Sequence, residues 1–166
     1  AQISYFDFDA KHNLEKVRFF INEAKRKKAD IVCFPETCML KEKYLDFSHS
    51  FLKEIKEECK KNKIWCIITE DFKMNDKLYN MSVLIDRQGK IKGKYKKIKL
   101  YAERNVFPGK KVSVFKTDFG KIGVAICWDL AFPELFTKMK KAGAQIVFCP
   151  AQLAYEKKAY SRKHKE

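Results

Sequence analysis

Residues 120–134 read GKIGVAICWDLAFPE, and this stretch decides the fold class. Residues 122–127 are an apolar run with the length of a buried strand. Pro133 suits the first turn of a helix, which we predict to continue to about Ala142. The stretch therefore predicts a strand ending at Cys127 that is followed by a helix, the alternation typical of α/β proteins.

The same pattern of helix end, strand and proline occurs twice. Residues 28–35 (KADIVCFP) and 141–150 (KAGAQIVFCP) each combine a basic helix end, a short turn, an apolar strand and a proline. This repetition indicates two related helix-strand units within one structure of layers around a mixed sheet. No linker rich in Pro, Gly or Ser separates them, so we expect one domain over residues 1–166.

Outward from these units, periodicity and turn residues predict the remaining elements. The spacing of apolar residues indicates a first helix capped by Asn13 and a second helix from about Phe47. A turn at residues 86–89 predicts an antiparallel pair made by the run 78–85 and the strand that begins at Ile91. Further strands are predicted at residues 1–5, 31–34, 64–69 and 112–115.

Composition excludes several classes of protein. With 46% hydrophobic residues the chain has ample material for a core, and its apolar runs fall far short of the roughly 20 residues of a membrane span. The net charge of +15 comes from 31 Lys and only 5 Arg, scattered among 21 acids, so we expect no specific nucleic-acid binding. The six cysteines lack metal-site spacing and several lie in apolar runs, which indicates free thiols in the cytoplasm.

Three polar residues stand where α/β folds place their sites, at strand ends. Glu36 follows an apolar strand directly, and Cys127 ends another. In the run 91–98, a period of two puts Lys97 on the same face as Ile91 and Tyr95. These positions make Glu36, Lys97 and Cys127 candidate site residues.

A thiol nucleophile needs a base for its proton and a positive group for the charge that develops on the substrate oxygen. His12 and His164 lie near the chain ends, and His49 lies in a polar stretch typical of a helix start. A Cys-His pair is therefore weakly supported. A carboxylate and an ammonium at two other strand ends supply both functions.

The segments 34–36 (FPE), 95–100 (YKKIKL) and 120–134 resemble, in order and separation, the motifs of the nitrilase superfamily of carbon-nitrogen hydrolases. The resemblance covers nearly the whole chain. It implies that Cys127 is the nucleophile, Glu36 the general base and Lys97 the cation that stabilises the tetrahedral intermediate, with help from the Trp128 backbone N–H. The implied fold is a four-layer α-β-β-α sandwich, usually paired into homodimers or larger homo-oligomers.

The resemblance also implies roles for less certain positions. Glu103 matches a second glutamate near the site, although its spacing to Pro108 is one residue shorter than expected. Lys99 and Ala131 stand where histidine and arginine are frequent, which affects substrate preference. The substrate-pocket candidates are Gln152, Leu153 and Tyr155.

The chain stops in the charged stretch 156–166, where family members continue with a helix and further strands. We expect the C-terminal part of the fold to be missing from this sequence. The chain is then a fragment, or another polypeptide supplies that part, or the protein is a divergent and inactive member.

The function implied by the resemblance is thiol-dependent hydrolysis of a small carboxamide or N-carbamoyl substrate through a Cys thioester. Asp129 after Cys-Trp is similar to the amidase and carbamoylase branches, since true nitrilases tend to carry Glu there. The alternatives are a true nitrilase and a member that hydrolyses the glutamine amide to supply ammonia. A catalytically inactive binding or scaffold protein is the alternative of another class. The implied chemistry needs no metal and no organic cofactor.

Overall fold

Two facing β-sheets with helices outside them form the described part of the chain, which in this computed structural model is residues 9–40, 44–101 and 103–152. The first sheet has four strands, in the order β1 (Ile31–Glu36), β2 (Trp65–Met74), β3 (Lys77–Ile85) and β4 (Ile91–Lys96). The second has three, in the order β5 (Val114–Thr117), β6 (Gly120–Val124) and β7 (Ile146–Phe148). The helices are α1 (Ala10–Arg26), α2 (Ser50–Asn62) and α3 (Pro133–Lys141). Among the helices of these residues, none has the length and apolar character that crossing a bilayer requires.

Each sheet joins one parallel pair of strands to antiparallel neighbours. β1 pairs parallel with β2, and β7 pairs parallel with β6, whereas β2-β3, β3-β4 and β5-β6 are antiparallel. The strands β1 and β7 are those of the two repeated segments, each following its own helix. Both segments therefore add a parallel strand at the edge of a sheet, and the mixed-sheet prediction is confirmed.

Apolar side chains define the order of the layers. The outer face of the first sheet packs against α1 and α2 through a buried cluster that includes Val17, Ile21, Leu52, Phe34 and Ile68. A second cluster fills the space between the sheets, with Trp65, Ile67, Leu84 and Tyr95 from the first and Ile122, Val124 and Ile126 from the second. On the far side, α3 buries Leu135 and Met139. The predicted α-β-β-α sandwich is confirmed.

Two helix starts differ from the prediction. Helix α1 begins at Ala10 and is capped by Asp9, whose carboxylate accepts from the backbone N–H of Lys11 at 2.9 Å. Asn13 is buried instead, and its side-chain amide donates to the Met39 carbonyl at 3.2 Å. The predicted cap at Asn13 is therefore wrong, because a tertiary contact takes its side chain.

Helix α2 begins at Ser50, later than the predicted start near Phe47, and the His49 side chain accepts from the backbone N–H of Phe51 at 3.2 Å. The strand predicted to end at Cys127 ends at Val124. A 3₁₀ turn, Cys127–Ala131, follows it. The strand predicted at residues 1–5 lies outside the described residues.

At the end of the sandwich opposite to Glu36, the side chain of Arg87 connects the two sheets through hydrogen bonds. Its guanidinium donates to Asp118 in the β5-β6 turn and to Asp30 before β1, each at 2.6 Å. Asp118 also accepts from the Trp65 indole N–H at 2.7 Å. These charge-assisted bonds fix the two sheets relative to each other at that end.

Candidate active site

Glu36, Lys97 and Cys127 converge at one end of the sandwich. Glu36 is the last residue of β1, and Lys97 directly follows β4. Both strands run in the same direction, since one parallel and two antiparallel pairings separate them, so their carboxyl ends share an edge of the first sheet. Cys127 arrives from the second sheet, after β6. The site therefore lies between the two sheets.

Lys97 is buried between two carboxylates. Its side chain is only 2% exposed, and Nζ donates to Glu36 Oε1 at 3.0 Å and to Glu103 Oε1. Burial acts to lower the pKa of Lys97, but the hydrogen bond to Glu103 and the charge of Glu36 outweigh it and raise the pKa overall. Lys97 therefore stays positively charged in a nearly dry site, where a charge interacts strongly.

Glu103 supports Lys97 from the loop after β4. Burial favours its neutral form, but the hydrogen bond from Lys97 is among the contacts that lower the pKa of Glu103 overall. The backbone N–H of Tyr101 also donates to Glu103 Oε2, at 2.6 Å. Glu103 is therefore a fixed carboxylate that holds the ammonium group in place.

Cys127 carries a neutral thiol in the resting protein. Burial and the charge of Glu36 raise the pKa of Cys127 to about 11, against the opposing effect of Lys97. Glu36 contributes to this rise both through its charge and as a hydrogen-bond acceptor, so a carboxylate lies close to the thiol proton. An arrangement of this kind suits a base that takes the proton as the sulfur attacks.

The backbone at Cys127 is held in an uncommon conformation. Its φ of 45° lies in the left-handed region, which is strained for a residue other than glycine. The Cys127 N–H donates to the Pro150 carbonyl at 2.8 Å, next to the second sheet. The following side chain, Trp128, is 42% exposed and its ring lies 4.8 Å from that of Tyr101. The backbone thus leaves the direction of the strand at Cys127, and the thiol of Cys127 lies on the side of Glu36.

Asp129 organises the site, a role that its position in the sequence does not indicate. It is completely buried, and its carboxylate accepts from the Lys99 N–H and the Tyr95 hydroxyl, both at 2.8 Å. It also accepts from Ile98 N–H at 3.2 Å and Ile126 N–H at 2.9 Å. One side chain thereby joins the segment that carries Lys97 to the turn that carries Cys127. An aspartate at the start of a turn is a local signal for capping, but the partners from β4 have no local signal.

We expect Asp129→Asn to lower the free energy of unfolding by about 2 kcal/mol, because an amide presents N–H groups where the carboxylate accepts four hydrogen bonds. Urea unfolding of the variant and the wild-type chain measures this difference. Unchanged stability would show that the contacts of Asp129 contribute little to the fold.

The predicted substrate-pocket residues and Lys99 differ in where the structure places them. Gln152 lies at the site, with its backbone N–H 3.4 Å from Glu36 Oε2. Leu153 and Tyr155 lie outside the described residues. Lys99 pairs with Glu134 at 3.4 Å and borders a cavity of about 420 Å³ between the loop 110–112 and the start of α3. The lining of that cavity does not include Glu36, Lys97 or Cys127, so its shape does not define a pocket for the reacting group.

Residues 9–40, 44–101 and 103–152 contain no group of three or more His, Cys, Asp or Glu side chains that could hold a metal ion. All six cysteines of the chain are free thiols.

The fold and the site together define a class of protein. Its members are α-β-β-α sandwiches in which a cysteine, a glutamate and a lysine lie close together between the two sheets. The chain belongs to the carbon-nitrogen hydrolase family, whose model matches residues 1–165.

Individual relatives agree with this assignment. The chain is 28% identical over 170 residues to a deaminated glutathione amidase of Dictyostelium discoideum, covering 84% of this chain and 58% of that protein. It is 27% identical over 178 residues to the omega-amidase Nit3 of Saccharomyces cerevisiae, covering 91% and 61%. The crystal structure of yeast Nit3, a nitrilase-superfamily member, matches with a TM-score of 0.81 at 26% identity, covering 98% and 65%. The chain thus spans about three fifths of the length of these two curated relatives.

Proposed function

We propose that this protein hydrolyses the C–N bond of small linear amides, with Cys127 as the nucleophile. The observation that carries the proposal is the buried Lys97, bonded to Glu36 at 3.0 Å, with Glu36 close enough to the Cys127 thiol to raise its pKa. A nucleophile, a base and a fixed cation therefore lie together at one end of the sandwich. These are the parts that acyl transfer requires.

In the first half of the reaction, the sulfur of Cys127 attacks the carbonyl carbon of the amide and its proton passes to Glu36. The C=O π electrons move to oxygen, and Lys97 and the Trp128 backbone N–H stabilise the resulting oxyanion. When the tetrahedral intermediate collapses, Glu36 returns the proton to the nitrogen that leaves. The products of this half are ammonia or an amine and a thioester on Cys127.

The second half hydrolyses the thioester. Glu36, again a carboxylate, accepts a proton from a water molecule while the water oxygen attacks the thioester carbon. The C–S bond then breaks, and the proton passes from Glu36 to the sulfur. The acid product leaves, and the resting thiol-carboxylate pair is restored. Glu103 has a supporting role throughout, since it holds Lys97 in position and in its charged form.

The substrate class we favour is a carboxamide or an N-carbamoyl compound. Asp129 after Cys-Trp supports this choice, and so do the amidases among the relatives. A nitrile, or the side-chain amide of glutamine, is the alternative within the same chemistry.

Ammonia release from a panel of these four compound types tests the proposal, together with intact-mass detection of an acyl group on Cys127. The expected result is turnover of at least one amide or carbamoyl compound, with an added acyl mass in rapidly quenched samples. Turnover of nitriles alone would reassign the branch. An unreactive chain that still binds amides would make it a binding protein rather than an enzyme.

We propose one catalytic domain that acts in the cytoplasm, where the free thiols of the chain stay reduced. We also propose that it acts as a homodimer or larger homo-oligomer, as the family resemblance implies. Light scattering of the purified chain tests the oligomeric state.

A further inference from the structure

Thr37, the residue directly after Glu36, has a strained backbone. Its φ of 46° lies in the left-handed region, which a β-branched residue rarely adopts. Such a conformation persists only where the surroundings hold it. Here the Thr37 N–H donates to the Thr69 carbonyl at 2.8 Å, and its hydroxyl donates to Gln152 Oε1 at 2.7 Å.

Gln152 faces the reacting groups with its backbone. Its N–H lies 3.4 Å from Glu36 Oε2, and the same N–H acts to lower the pKa of Cys127. The segment that carries Gln152 follows β7 of the second sheet, whereas Thr37 follows β1 of the first. The side-chain bond between Thr37 and Gln152 therefore connects the two halves of the site.

We infer that Thr37 is a positioning residue: its hydroxyl holds Gln152 so that the Gln152 backbone N–H points at Glu36 and Cys127. The inference rests on the proposed function in that it treats Cys127 as the nucleophile. The N–H then stabilises negative charge on the sulfur, and the energy of that contact depends on a hydroxyl that bonds to the Gln152 side chain. The strain at Thr37 supports this role, since that backbone conformation brings the hydroxyl to Gln152.

Other groups that face the sulfur are held by contacts that do not involve the Thr37 hydroxyl. They are Glu36 at the end of β1 and Lys97 after β4, which is bonded to Glu103. Asp129 belongs to the same 3₁₀ turn as Cys127. A change in the reactivity of Cys127 on loss of the hydroxyl therefore reports the Gln152 contact.

The test compares Thr37→Val, which removes the hydroxyl, with Thr37→Ser, which keeps it. Iodoacetamide is added at pH 8, and mass spectrometry follows alkylation of the tryptic peptide 122–138, in which Cys127 is the only cysteine. Because pH 8 lies well below the pKa of about 11, the thiolate fraction falls about tenfold for each unit by which that pKa rises. We expect alkylation about three- to tenfold slower in Thr37→Val, an effect of the size of one ordinary hydrogen bond, and within about twofold of wild type in Thr37→Ser.

Thr117→Val is the matched control, since it removes a buried hydroxyl that donates to the Gly120 carbonyl at 2.7 Å, in the β5-β6 turn. Its alkylation rate should equal that of wild type. Gln152→Ala breaks the same bond from the other side and is expected to slow alkylation as Thr37→Val does, with no further slowing in the double variant. Thermal melts show which variants are folded. If Thr37→Val does not fold, the alkylation rate of Gln152→Ala provides the test.

Wild-type alkylation in folded Thr37→Val and Gln152→Ala would overturn the inference, as would equal slowing in Thr37→Val and Thr37→Ser. The proposed function fails in a different way, through absence of amide turnover in the wild-type chain. The alkylation rates do not depend on turnover, so the two failures are distinguishable.

Discussion

Cys127→Ala is expected to abolish ammonia release from amides while changing the free energy of unfolding by less than about 1 kcal/mol. The loss of activity is complete because the attacking sulfur is gone and no other group can form the thioester. The small effect on stability follows because the thiol is only partly buried and one sulfur atom is removed. Steady-state ammonia assays and urea unfolding measure the two quantities.

Cys33→Ala is the matched control for this substitution. Cys33 is also a partly buried cysteine outside any disulfide, and burial raises its pKa to about 12, but it lies within β1, three residues before Glu36, and its sulfur donates to the Phe34 carbonyl at 3.7 Å. Its variant should keep the wild-type rate of turnover. Amide hydrolysis by Cys127→Ala at more than a trace of the wild-type rate would remove Cys127 from the mechanism.

Glu36→Gln should lower kcat by roughly 100- to 10,000-fold, the scale of general base catalysis, and at the same time speed the alkylation of Cys127. The two effects have opposite signs for a physical reason. After burial, the charge of Glu36 is the largest cause that raises the pKa of Cys127, so its removal favours the thiolate. The variant thus gains a more easily ionised sulfur but has no group to carry the proton to the leaving nitrogen. Ammonia assays and iodoacetamide rates on the same preparation measure both effects.

Glu70→Gln serves as the control for removal of a buried carboxylate. Glu70 lies on β2, and burial raises its pKa to about 8, while its Oε1 accepts from the Met39 N–H at 2.7 Å. An amide oxygen can accept the same bond, so turnover and alkylation should stay at their wild-type values. If Glu36→Gln behaved like Glu70→Gln in both assays, Glu36 would not be the base.

The order of the elements could be predicted from the sequence because strands buried on both faces are continuous apolar runs. Two site positions, Glu36 and Cys127, follow such runs, and the side-chain alternation along β4 placed Lys97 on the buried face. These signals are local. They need no knowledge of which strands are neighbours.

Contacts between distant residues had no such signal. The Asp9 cap of α1 was missed because Asn13 is equally suited to capping, and its burial against Met39 depends on the tertiary fold. The bonds that Asp129 accepts from residues 95–99, and the bond from Thr37 to Gln152, join positions far apart in the chain. Only the packing of one sheet on the other brings them together.

The division of the site between two sheets has a consequence for the kinetics of folding. Glu36 and Lys97 belong to the first sheet, and Cys127 to the second. A refolding intermediate with the first sheet and its two helices formed would have native secondary structure but no reactive group of three. Docking of the sheets closes contacts of large sequence separation, the kind that form slowly. Recovery of activity during refolding should therefore lag behind recovery of the circular dichroism signal. The length of this delay measures the time that the docking of the two sheets requires.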